Sequence, residues 1–169
     1  MNQMQDIQIE KVIINIGVGE AGEKLIKAEK VLGFLTKHKP IRTLAKTTNK
    51  DLGIRKGMPI GCKITLRGEE MLNFLKEAFW IKENKIADYS FDSEGNFSFG
   101  IADYTDFKDM KYDPDIGIFG MDISVTLARK GFRVKNRKHA RGKIPKNHRI
   151  TPNEAKKFVK SKLNVEVVG

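Results

Sequence analysis

Three sets of residues in this chain could carry chemistry. Gly17, Gly19 and Gly22 match G-x-G-x-x-G between an alternating apolar run and a helical stripe. In a dinucleotide fold such glycines let the backbone approach a pyrophosphate held at a helix N-terminus. That chemistry also needs an acid about twenty residues further on, to hold the ribose hydroxyls. Pro40 to Lys46 contains no carboxylate, and Gly22 is followed by Glu23. A nucleotide-binding enzyme, the alternative function class, therefore has its first element here and lacks its second. A tight strand-to-helix turn, or glycines that admit an RNA backbone, would use the same residues.

The second set is thin. His38, His139 and His148 are the only imidazoles and Cys62 the only cysteine, so no standard zinc set assembles locally and no intramolecular disulfide forms. Asp88, Asp92, Glu94, Asp103, Asp106, Asp109, Asp113, Asp115 and Asp122 lack the spacing of a calcium loop and read as a solvated acidic face. No catalytic residue, metal or cofactor is assigned.

The third set is cationic. Arg129, Lys130, Arg133, Lys135, Arg137, Lys138, Arg141, Lys143, Lys146 and Arg149 fall in a 129–149 segment without a carboxylate. The net charge is +5 over residues 1–80, −6 over 81–128, +10 over 129–149 and +2 over 150–169, which accounts for the total of +11. A field concentrated in this way makes polyanions the leading partner class. Phe132, Val134 and Ile144 are too few to offset the ordering entropy of the segment, so it is expected to order only against a polyanion. An acidic-lipid-binding module would need a larger apolar anchor beside the charges. The acidity of 81–128 would keep that part off nucleic acid and so orient docking.

The elements that must position these groups follow from periodicity. Val12, Ile14, Ile16 and Val18 alternate with Lys11, Ile13, Asn15 and Gly17, a strand whose Asn15 looks away from the core. Leu25, Ala28, Leu32 and Leu35 form one stripe of a helix from Glu23 that ends before Pro40. A second strand is expected over Ile41–Lys46 and a third over Ile60–Arg67, with Lys63, Thr65 and Arg67 opposite the apolar face. Met71, Leu72, Leu75 and Phe79 give a second helix, Phe97 to Ile101 and Met121 to Leu127 further strands, and Thr151-Pro152-x-Glu154 caps a final helix. Single-faced strands predict an α+β fold, a largely antiparallel sheet with helices packed on one face and the other face open. Lys11, Asn15, Lys63, Thr65 and Arg67 would make that open face cationic.

The chain of 169 residues is read as a single domain over 1–169, with the basic segment at 129–149 and a C-terminal helix and tail at 150–169. One cysteine, a polar N-terminus and no 18-residue apolar run lead to the expectation of a cytoplasmic protein without a membrane partner. Between the second and third strands the connection is longer than an ordinary hairpin. It carries Lys46, Lys50, Arg55 and Lys56, with Gly57-Met58-Pro59 expected as an apolar tip.

Asn15-Ile16-Gly17-Val18-Gly19-Glu20-Ala21, Lys39-Pro40, the run Gly53 to Gly68, Gly95 to Ile101 and Gly120 to Ile123 closely resemble the L-five family of large-subunit ribosomal proteins. The basic segment followed by Ile144-Pro145-Lys146 and His148-Arg149 resembles the archaeal and eukaryotic branch. The resemblance implies an RNA-binding structural protein, not an enzyme, that attaches 5S rRNA in the central protuberance as a monomer within the ribosome. Its implied partners are 5S rRNA, large-subunit rRNA, P-site tRNA and neighbouring large-subunit proteins. Asn15, Thr43, Lys46 and Thr65 fall where the family touches 5S rRNA, and Lys11, Gly17, Gly19, Lys63 and Arg67 join them on the expected face. Arg55, Lys56, Gly57, Met58, Pro59, Ile60 and Gly61 fall on its tRNA-contacting loop. The ten cations of 129–149 would meet rRNA phosphates. Two departures stand out: Lys37-His38 replaces the Gly-Gln of many members, and Lys82 to Tyr89 is shorter than in bacterial relatives.

Overall fold

The alternating run and its partners form a five-stranded sheet in a computed structural model that describes residues 3–108 and 110–169. Strands β1 (Ile7–Gly17), β2 (Ile41–Leu44), β3 (Pro59–Leu66), β5 (Phe97–Ile101) and β6 (Met121–Arg129) are arranged in the order β2-β3-β1-β6-β5, and every pairing is antiparallel. The α+β reading therefore holds. Asp109 lies outside the described residues, as do Met1 and Asn2 of the polar N-terminus.

One face is sealed by α1 (Glu23–Thr36), α2 (Gly68–Ile81) and α4 (Pro152–Leu163). Val12, Ile14 and Ile16 of β1, Cys62, Ile64 and Leu66 of β3 and Ile123, Val125 and Leu127 of β6 join Leu25, Ala28 and Leu32 of α1, Leu75 and Phe79 of α2 and Val159 of α4 in one hydrophobic cluster. Each fully buried aliphatic side chain there contributes about 1.5–3 kcal/mol relative to exposure. Burial pushes the Cys62 thiol up to about 11, with Glu29 adding to the shift, so it is a protonated, inert core residue.

Several expectations needed correction. β2 stops at Leu44, one residue past a shift of its register with β3, so Lys46 lies in the connection. The buried stripe of α2 runs through Met71, Phe74, Leu75, Ala78 and Phe79, leaving Leu72 exposed. Residues 166–168 are not a loose tail: β7 (Glu166–Val168) pairs in parallel with β4 (Lys85–Ala87), a pairing that sequence periodicity did not reveal.

At α4 the expected capping box is complete. The Thr151 side chain accepts from the Glu154 N–H (3.4 Å), and Glu154 Oε2 accepts from the Thr151 N–H (3.0 Å). Glu154 Oε1 also accepts from Arg129 Nη2 at 2.7 Å. The Thr151 N–H, helped by its hydroxyl and by Arg129, holds the Glu154 carboxyl below the ordinary value of 4.5 against the opposing effect of desolvation. A depressed carboxylate pKa stabilises the fold above its unfolded value and loses that contribution as pH falls through the folded value. Glu154→Gln, which keeps the box, is expected to flatten the decline in urea stability below pH 4.5. An acid limb as steep as that of the wild type would reject this linkage.

Candidate nucleic-acid interface

On the face away from the helices, antiparallel register brings three strands' polar side chains side by side. Ile41 lies opposite Lys63, and Thr43 opposite Gly61. Lys63 is in turn opposite Asn15, Thr65 opposite Ile13, and Gly61 opposite Gly17. Lys63 and Thr65 are exposed, and Lys11, Asn15 and Thr43 are half-buried between their neighbours. Among the described residues no helix roofs this patch, so its amide, hydroxyls and ammonium groups are available to a ligand.

Gly61 has a steric role. A Cβ there would lie 2.8 Å from the Ile16 carbonyl oxygen and 2.9 Å from Thr43 Oγ1, so a side chain would force the strands apart. Arg67 is exposed but partly occupied: its Nη1 donates to the Glu10 carbonyl at 3.3 Å and lies 3.8 Å from the Glu10 carboxylate.

The strand β6 extends the face beyond the residues expected on it. Thr126 lies opposite Lys11, Ser124 opposite Ile13 and Asp122 opposite Asn15. Ser98 and Gly100 of β5 follow in the same rows. The face is thus cationic only across β3 and β1, β2 adding Ile41 and Thr43, and it turns to hydroxyls and a carboxylate towards β5. Alternation within β6 already separates Asp122, Ser124 and Thr126 from its apolar side; nothing local shows that β6 lies beside β1.

At the end of β1 the glycine turn is held by Val18 and Gly19, whose N–H groups both donate to the Ile60 carbonyl (3.0 and 2.8 Å). Gly17, Gly19 and Gly22 are exposed. A dinucleotide fold requires parallel neighbours around such a turn, whereas β1 is flanked by antiparallel β3 and β6 and the next strand in sequence lies at the sheet edge. The nucleotide-enzyme alternative fails on topology. Among the described residues no group of three or more His, Cys, Asp or Glu could hold a metal ion. No helix is long and apolar enough to cross a membrane, among the described residues.

The connection between β2 and β3 is a hydrogen-bonded arm. Asn49 and Ile54 exchange backbone bonds (2.8 and 2.9 Å), the Lys56 N–H donates to Thr48 Oγ1 (3.1 Å), and the Ala45 N–H donates to the Met58 carbonyl (2.8 Å). Its apex is therefore Lys50-Asp51-Leu52-Gly53, with Leu52 68% exposed. Gly57-Met58-Pro59 is not the tip: Gly57 and Met58 bond to Ala45 at the base, and Pro59, Ile60 and Gly61 belong to β3. Arg55 and Lys56 remain exposed on the arm.

The basic segment has its own structure, where order only against a polyanion is expected from sequence. It contains α3 (Arg133–Asn136) and closes on itself through backbone and side-chain hydrogen bonds. The Gly142 N–H donates to the Val134 carbonyl (3.2 Å), Arg137 Nε to Ala140 O (2.7 Å) and Arg141 Nε to Lys135 O (2.6 Å). Arg129 does not stand where a phosphate contact was expected of it, because it is 8% exposed and ion-paired with Glu154. Arg149 lies 3.8 Å from the Glu94 carboxylate. Lys130, Arg133, Lys135, Lys138, Lys143 and Lys146 are exposed and carry no ion pair among the described residues.

Comparison with known proteins covers almost the whole chain. A family profile described as "Ribosomal protein L5" matches residues 2–55, and a second profile, described as the C-terminus of the same ribosomal family, matches residues 59–161. The chain is 56% identical over 169 residues to the large ribosomal subunit protein uL5 of Thermoplasma volcanium, covering 99% of each chain. It is 54% identical to the uL5 of Picrophilus torridus, covering 99% of this chain and 96% of the relative. Against the uL5 of Methanoregula boonei the identity is 49% over 164 residues, 97% of this chain and 99% of the relative.

Proposed function

We propose, from the premise that this chain belongs to the ribosomal protein L5 family, that its open sheet face holds 5S rRNA in the central protuberance of the large subunit. The chain is an archaeal-type, non-enzymatic constituent of the large ribosomal subunit, and so of the cytoplasmic ribosome. Lys11, Asn15, Thr43, Lys63 and Thr65 offer hydrogen bonds to phosphate and 2′-hydroxyl oxygens, with Gly17 and Gly19 admitting a backbone at the turn. Lys46, at the base of the arm, joins the 5S rRNA contacts, and the apex Lys50–Gly53 with Arg55 and Lys56 extends towards P-site tRNA. The exposed cations of 129–149 meet phosphates of neighbouring rRNA.

The observation that carries this reading is the register that sets Thr43, Lys63, Asn15 and Thr65 on one uncovered surface. Asn15→Ala with Thr65→Ala, tested by gel shift on purified 5S rRNA at fixed salt, is expected to lower affinity about tenfold or more while the melting temperature holds. Wild-type affinity in the double variant would move the RNA face elsewhere.

A further inference from the structure

The basic segment does more than spread charge over a surface. It borders an open cleft of about 420 Å³ whose floor is apolar, formed by half-buried Phe132 and Ile144 with buried Ile150. Lys135, Arg141, Lys143 and Arg149 stand around it. The Phe132 ring is braced by His148, 5.8 Å away between centroids, and His148 Nε2 is 3.0 Å from the Lys130 carbonyl oxygen. Arg141 is fixed on the rim by its bond to Lys135 O. A surface that only neutralised phosphates would need neither an apolar floor nor an aromatic ring at its centre.

One anion breaks the pattern. Glu94, which comes from the turn before β5, reaches the same cleft and lies beside Arg149. A carboxylate placed among cations weakens phosphate binding there and favours a ligand that donates hydrogen bonds. An unstacked RNA base supplies those donors on its Watson–Crick edge, presents a flat apolar face to an aromatic ring, and brings its own phosphates to the cations. Guanine offers two parallel N–H donors, N1–H and N2–H, that match the two oxygens of a carboxylate. Adenine and cytosine present an acceptor nitrogen in place of N1–H, and where guanine presents N2–H, cytosine and uracil present the O2 acceptor and adenine only a C–H.

We infer that the cleft between Phe132, Ile150 and Glu94 receives one flipped-out guanine of the large-subunit rRNA, with its flanking phosphates on Lys135, Arg141 and Lys143. This deepens the proposed function, since it assumes that the basic segment faces rRNA. It makes that contact selective for a base, where counterion release alone has no sequence preference.

The test uses the full chain and single-stranded RNA heptamers of uridine with G, A, C or U at the centre, read by fluorescence anisotropy at low salt. The G heptamer is expected to bind about tenfold more tightly than the others. Glu94→Gln, with an unchanged melting curve, is expected to abolish that preference while leaving the weaker, salt-sensitive binding. Phe132→Ala is expected to weaken the G heptamer most. Equal binding of all four heptamers, or a guanine preference that survives Glu94→Gln, overturns the pocket. If 5S rRNA still binds in that case, the proposed function stands without it. Failure to bind both the heptamers and 5S rRNA overturns the two together.

Discussion

Replacing Lys130, Arg133, Lys135, Lys138, Lys143 and Lys146 with glutamine is expected to lower affinity for deproteinised large-subunit rRNA by about a thousandfold or more near 0.1 M salt. These six are exposed and unpaired among the described residues, whereas Arg129, Arg137 and Arg141 hold the local fold. Keeping those three separates charge from structure. Each phosphate contact by a cation releases about 0.7 of a counterion from single-stranded nucleic acid and somewhat more from a duplex. Six lost contacts therefore flatten the slope of log affinity against log salt by roughly four units. Filter binding at four salt concentrations measures both quantities. A slope equal to that of the wild type would mean that the segment lies off the RNA and serves some other neighbour.

Gly95→Ala is expected to destabilise the chain by roughly 2–4 kcal/mol in urea denaturation, from two separate causes. Gly95 has φ 76°, a left-handed conformation that a side chain strains. A Cβ would also lie 2.7 Å from Ile150 Cγ2 and 3.2 Å from Ala155 Cβ, in a buried junction between the β5 turn and the start of α4. Ile150→Ala removes the first of those atoms, so the double variant is expected to lose less than the sum of the two single costs. Strict additivity would show that crowding is absent and that backbone strain alone acts. Because Ile150 floors the cleft beside Phe132, the Gly95 variant is also expected to bind the G heptamer less well.

The buried face of each long strand was legible because side chains alternate with period two, and the helix-side residues Val12, Ile14, Ile16, Cys62 and Ile64 are all buried. The capping box at Thr151 was legible because its geometry depends on four consecutive residues. Leu72 misled because a helical stripe is wide, and which edge of it is covered depends on the neighbour; here Phe74 and Ala78 are buried instead. β7 was hidden because its pairing with β4 joins two short segments far apart in the chain.

Local physics, then, determined from the sequence which residues share a face, where the charge is concentrated and which chemistry is excluded for want of ligands. Those properties depend on spacings of two to four residues and on composition. Tertiary structure alone decided that Asp122 stands opposite Asn15, that Arg129 turns inward to Glu154, and that Glu94 enters the ring of cations around Phe132. Strand order and loop closure are set by how the whole core excludes water, and that quantity belongs to no short stretch of the chain.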